Sequence, residues 1–171
     1  MSGAISKTYQ WRISEGTQGV KETLAVMRRI VRGDDGRANP AVIETARSIA
    51  RGVPAKDWFG QIEAVYNFVR SNIVYVMDPV DVEALSTPVE LLRIRAGDCD
   101  DMAVLLASLL TAIGHPTRFV AIGFSEGDLS HVYVETKIGE RWIALDPTEP
   151  LPAGQLAWSA DEVENSFIVN N

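Results

Sequence analysis

The chain has a single cysteine, Cys99, and only two histidines, His115 and His131, among its 171 residues. One cysteine excludes an internal disulfide and the two-to-four-cysteine sets of structural zinc. No stretch reaches the ~18 apolar residues that a membrane span needs. Positive charge is also scarce: 16 Lys and Arg face 23 Asp and Glu, a net charge of −7, which argues against nucleic acid as a partner. Met1-Ser2-Gly3-Ala4-Ile5-Ser6-Lys7 lacks the basic segment and apolar core of a signal peptide, so a reduced, cytoplasmic location is expected. Repeats, low-complexity segments and cofactor motifs are lacking too.

What is present suits a soluble globule: 46% of residues are hydrophobic and 23% charged. The length fits one domain over 1–171, with a core at about 57–148 and a tail at 149–171. The densest stretch is Ala96-Gly97-Asp98-Cys99-Asp100-Asp101-Met102-Ala103. It opens the longest apolar run, Met102 to Ile113, in which Ala103, Leu106, Ala107, Leu110 and Ile113 recur at helical spacing. Asp98 reads as the N-cap of that helix and Gly114 as its C′ residue, with Pro116 beyond. Cys99 then falls at the positive end of a buried helix, where a thiol pKa is expected to drop from about 8.5 toward neutrality. Asp98, Asp100 and Asp101 oppose that drop, because nearby negative charge raises a thiol pKa.

Ahead of this stretch, Ile5 to Ile13 reads as a strand. Val20, Leu24, Met27, Ile30 and Val31 form the apolar face of a first helix. A second helix follows the Asn39-Pro40 start, and a third runs from Asp57 through Val69. Ile73-Val74-Tyr75-Val76 reads as a short strand, and Thr87-Pro88-Val89-Glu90 as a capping box that opens a short helix. Beyond the cysteine helix come a buried strand from Thr117 to Phe124, a hairpin of Ser130–Ile138 and Arg141–Leu145, and a tail with a strand at Phe167-Ile168-Val169. Helices first and strands later predict an α+β fold, with N-terminal helices and a central cysteine-bearing helix packed on an antiparallel sheet.

A cysteine nucleophile needs a base within reach and a group that orients the base. His115 follows the far end of a helix roughly 20 Å long at 1.5 Å per residue, so it is read as structural. His131 opens one hairpin strand and Asp146 ends the next. With a two-residue loop at Gly139-Glu140, Ile138 faces Arg141 and His131 faces Thr148. Asp146 is then diagonal to His131 on the same sheet face, about 7–8 Å away between Cα atoms. A catalytic zinc on Cys99, His131 and Asp146 is the less economical reading of the same residues.

Gly97-Asp98-Cys99-Asp100-Asp101, the apolar helix, His131-Val132-Tyr133-Val134-Glu135 and Trp142-Ile143-Ala144-Leu145-Asp146-Pro147-Thr148 together resemble the transglutaminase-like superfamily. Gly16-Thr17, Tyr75 with Asp78-Pro79, and Glu83 with Thr87-Pro88 resemble its small bacterial branch, often encoded in phages and prophages. The resemblance implies a papain-related α+β core in which Cys99 is the nucleophile, His131 the base and Asp146 the orienting acid. It also implies that Tyr75 is an oxyanion donor. The expected activity is acyl transfer on a peptide or carboxamide bond through a thioester, without a cofactor. Whether water or an amine resolves the thioester stays open: the small single domain leans toward hydrolysis, and the aspartates beside Cys99, in place of the aromatic residues of the cross-linking enzymes, argue against protein cross-linking. The expected partner is a peptide or protein substrate, and neither nucleic acid nor a membrane. The alternative is a non-catalytic part of a phage virion that meets phage structural proteins.

Overall fold

The computed structural model describes residues 7–11, 14–78 and 83–171, apart from the side chain of Glu83. Ile5, Ile13 and Pro79, on which part of the sequence reading rests, lie outside the described residues. The chain runs through β1 (Thr8–Trp11), α1 (Gly16–Arg32), α2 (Pro40–Ala50), α3 (Trp58–Asn72), β2 (Val74–Tyr75), β3 (Glu83–Ser86) and α4 (Pro88–Ile94). It continues with β4 (Ala96–Gly97), α5 (Cys99–Ala112), β5 (Thr117–Gly123), β6 (His131–Ile138), β7 (Arg141–Leu145) and β8 (Asn165–Asn170).

Helix α5 is the centre. Every residue from Asp101 to Leu110 is buried, as expected of a helix that is apolar on all sides. Leu24, Met27, Ile30 and Val31 of α1, Val42 and Ala46 of α2, and Ile62, Val65, Tyr66 and Val69 of α3 share its core. The helix starts follow their sequence signals. The Asn39 side chain accepts from Ala41 N–H at 3.0 Å, and Asp57 accepts from Gly60 N–H at 3.0 Å. Thr87 Oγ1 accepts from Glu90 N–H at 3.4 Å. The reciprocal half of the expected capping box does not appear there, because the Glu90 carboxylate takes a bidentate pair with Arg93 instead.

The main sheet is antiparallel in the order β7-β6-β5-β8. Its inner face, including Phe119, Ala121, Val132, Val134 and Leu145, joins the α5 core. On the other face Val120, Ile122 and Tyr133 form a smaller cluster, covered by Leu156, Trp158 and Val163 of the tail. Two smaller pairings lie outside this sheet: β1 with β3, antiparallel, and β2 with β4, parallel. The expected antiparallel sheet is present, and the parallel pair is a small addition to it. The pair forms because Val74 and Val76 donate to Arg95 O and Gly97 O, which ties the segment after α3 to the approach of α5.

The β6–β7 hairpin has the expected register, with Ile138 opposite Arg141 and Val134 opposite Leu145. Gly139 supplies the positive φ, +56°, that the two-residue turn requires.

Candidate active site

Asp98 caps α5 by accepting from the backbone N–H groups of Asp100 at 3.1 Å and Asp101 at 3.2 Å. This cap sets Cys99 as the first helical residue. Cys99, His131, Tyr75, Met77, Asp78, Asp98 and Asp100 all line one cavity of about 310 Å³, with α1 forming the opposite wall. The Val132 backbone, one residue beyond the imidazole, faces the Cys99 sulfur and favours its thiolate. Start of helix and start of strand thus meet across the cavity.

His131 Nε2 lies 2.8 Å from Asp146 Oδ2, and the Asp146 side chain is fully buried. Its other oxygen, Oδ1, accepts from Thr148 N–H at 3.1 Å and Thr148 Oγ1 at 2.7 Å. The Asp146 backbone carbonyl is held in turn by the Tyr66 hydroxyl of α3 at 2.9 Å. Both carboxylate oxygens therefore have partners, as a buried charge requires. The register carries this arrangement: the hairpin continued past β7 puts Asp146 one diagonal step from His131 on the same face. Tyr66 was not legible as a site residue, since it sits on an ordinary apolar helix face. The Thr148 role had a signal, because a Thr two residues after an Asp can close a local side-chain turn.

His115 is elsewhere, bonded through Nε2 to Gln61 Oε1 at 3.1 Å and edge-on to Trp58. It is buried, and burial lowers its pKa. Tyr75 is 46% exposed at the cavity wall.

The thiol departs from expectation. Its pKa is raised, not lowered. Burial is the largest cause, followed by the carboxylates of Asp100 and Asp98, and only the Val132 backbone works the other way. The sulfur donates to Asp100 Oδ1 at 3.7 Å. The helix terminus is thus outweighed by desolvation and by two like charges within the first turn. Asp101 is buried and accepts from Ser86 N–H at 2.7 Å. Its pKa is pushed up to about 7, mainly by burial. Among the described residues no group of three or more His, Cys, Asp or Glu side chains is placed to hold a metal ion. None of the described helices is long and apolar enough to cross a membrane.

The sequence model of the transglutaminase-like superfamily matches residues 43–147, more than half of the chain. The protein belongs to the transglutaminase-like superfamily. Solved structures share the fold. A candidate cysteine protease from Cytophaga hutchinsonii superposes with a TM-score of 0.54 at 17% identity, over 96% of this chain and 58% of that one. A candidate protease from Parabacteroides distasonis gives 0.57 at 16% identity, over 77% and 26%. Calcium-bound LapG from Legionella pneumophila gives 0.56 at 20% identity, over 86% and 83%. The chain therefore spans little more than half of the first of these proteins and about a quarter of the second. No curated protein matches significantly. The α+β, papain-related architecture expected from the sequence is the one observed.

Proposed function

We propose that this protein is a cysteine peptidase or amidase that works through Cys99, His131 and Asp146. The observation that carries the reading is the 2.8 Å contact between His131 Nε2 and a buried Asp146 carboxylate, beside the cavity that Cys99 shares. With Nε2 committed to Asp146, Nδ1 is the nitrogen left to act as base. Burial and two aspartates favour the neutral thiol, so its proton leaves during attack and not before it. The Sγ–H proton passes to Nδ1 as the S–C bond forms on the substrate carbonyl. The oxyanion is received by the Cys99 backbone N–H, which the Asp98 cap does not take, and by the Tyr75 hydroxyl. The imidazolium then protonates the leaving nitrogen as the C–N bond breaks, which yields a thioester. Water attacks the thioester, His131 takes its proton, and the acid and thiol are released. The family and the two protease-like neighbours favour a peptide bond as the target.

The test is a labelled casein digest with the wild type, Cys99→Ala and His131→Ala, together with iodoacetamide capture of the lone thiol. Turnover should vanish in both variants, and His131→Ala should slow alkylation at least about 10-fold, within the usual range for a general base. A thiol whose reactivity ignores His131 would refute the reading. The raised thiol pKa favours a second reading, a non-catalytic component that keeps the fold. Under that reading Cys99→Ala retains full biological activity.

A further inference from the structure

Side chains two apart on a strand share a face, so His131 lies on the same face of β6 as Tyr133. Tyr133 belongs to the cluster turned away from α5. The imidazole therefore starts on the face that α5 does not cover, and it reaches the cavity only at the strand end. Asp146 holds the ring at one point, Nε2. One hydrogen bond fixes a distance but leaves rotation about its own axis, so the plane of the ring needs a second contact. The tail supplies it. The Trp158 indole meets the His131 ring edge-on, with centroids 5.3 Å apart and planes at 81°. The same indole is braced by Tyr133 at 5.7 Å and by Phe124 at 5.7 Å. The tail is itself anchored on both sides of Trp158, by Gly154 N–H donating to Ala144 O at 2.8 Å and by β8 pairing along β5.

We propose that Trp158 is a positioning residue for His131. It lies beyond the 43–147 segment that defines the family. Wedged between Phe124 and Tyr133, it blocks the ring rotations that would turn Nδ1 away from the cavity, and it screens the Nε2–Asp146 bond from water on the tail side. This rests on the reading of His131 as the base, but its structural half can be measured independently.

Trp158→Leu keeps an apolar side chain without a ring, Trp158→Phe keeps the ring, and Leu156→Ala cuts the same tail cluster at a second position. Two readouts are needed: the pH profile of Cys99 alkylation by iodoacetamide, and exchange of the His131 Nε2 proton with water by NMR, with His115 as the internal reference. Trp158→Leu should slow the His131-dependent alkylation by about 10–100-fold, the usual penalty for ångström-scale misplacement. It should speed the Nε2 proton exchange at least about 10-fold and leave His115 unmoved. Trp158→Phe should recover most of both, and Leu156→Ala should match the wild type. Equal losses in Leu156→Ala would reduce Trp158 to packing and overturn the proposal. So would unchanged rate and exchange in Trp158→Leu. If His131→Ala leaves alkylation unchanged, the base assignment fails, and the exchange measurement alone decides whether Trp158 holds the ring.

Discussion

Replacing Asp146 with Asn tests the site through a conflict that the structure makes explicit. The Asp146 carboxylate accepts on both sides: from His131 Nε2 through Oδ2 at 2.8 Å, and from the Thr148 backbone N–H through Oδ1 at 3.1 Å. An amide has only one acceptor oxygen. The Thr148 N–H can only donate, so it claims that oxygen and turns the amide NH2 toward His131. Nε2 must then accept, and the ring proton moves to Nδ1, the position that has to be free to take the thiol proton. The opposite orientation sets NH2 against N–H in a buried place, which costs about 1–3 kcal/mol for an unsatisfied donor. That penalty translates into roughly a 5–150-fold preference for the wrong tautomer. The loss of charge opposite the imidazolium adds to it. In a serine triad the same change costs about 10⁴ in rate. A thiol is more acidic than a hydroxyl, so a loss of about 10–10³ in turnover is expected here. Nitrogen-15 shifts of the His131 ring should report a proton on Nδ1 in the variant and on Nε2 in the wild type, with His115 unchanged. The fold should persist, since the two side chains are nearly isosteric. Full turnover with a normal tautomer would refute the reasoning, and unfolding would make Asp146 a structural residue.

Three further outcomes follow from the acidic helix start. Asp100→Asn removes the nearer carboxylate from the sulfur, so the alkylation profile should move to lower pH and the rate at pH 7 should rise several-fold. An unchanged profile would show that the Asp100 carboxylate does not raise the thiol pKa. Asp101, raised to about 7 in the folded state, binds its proton more tightly folded than unfolded. Its contribution to stability is complete below pH 4 and is lost as pH rises through about 7. Asp101→Asn should therefore flatten the pH dependence of urea unfolding between pH 4 and 7, by a few kcal/mol at most, and an unaltered slope would contradict this. Gly97→Ala should lower stability by about 1–3 kcal/mol in thermal melts, because its Cβ would lie 2.5 Å from Asp101 Oδ2 and 2.9 Å from Leu91 Cδ1. A variant as stable as the wild type would mean that the helix start can shift.

The balance at the thiol has a consequence for catalysis. A helix N-terminus contributes about half a unit charge. Here it competes with desolvation and with the carboxylates of Asp98 and Asp100. Under the proposed mechanism Cys99 rests as a neutral thiol, with little standing reactivity toward oxidants or alkylators. A substrate that displaces water, or that brings positive charge to the aspartates, would favour loss of the thiol proton at the moment of use.

By itself the sequence determined the local architecture. The apolar run behind Cys99 was long enough to require a helix buried on all sides, and Asp98 and Gly114 set its ends. The two-residue loop at Gly139-Glu140 fixed the hairpin register and with it the pairing of His131 with Asp146, since a two-residue turn and a period of two leave little freedom. The tail strand was legible from Phe167-Ile168-Val169, though its place beside β5 was not. Only the tertiary structure decided the rest, because each remaining feature depends on groups far apart in the chain. The parallel contact of β2 with β4 joins two short segments without periodicity of their own. The Tyr66 hydroxyl reaches the Asp146 carbonyl across 80 residues. Trp158 meets His131 because β8 folds the tail back over the outer face of the sheet. The thiol pKa turned on burial, a property of the whole fold, and so the local signal at the helix start pointed the wrong way.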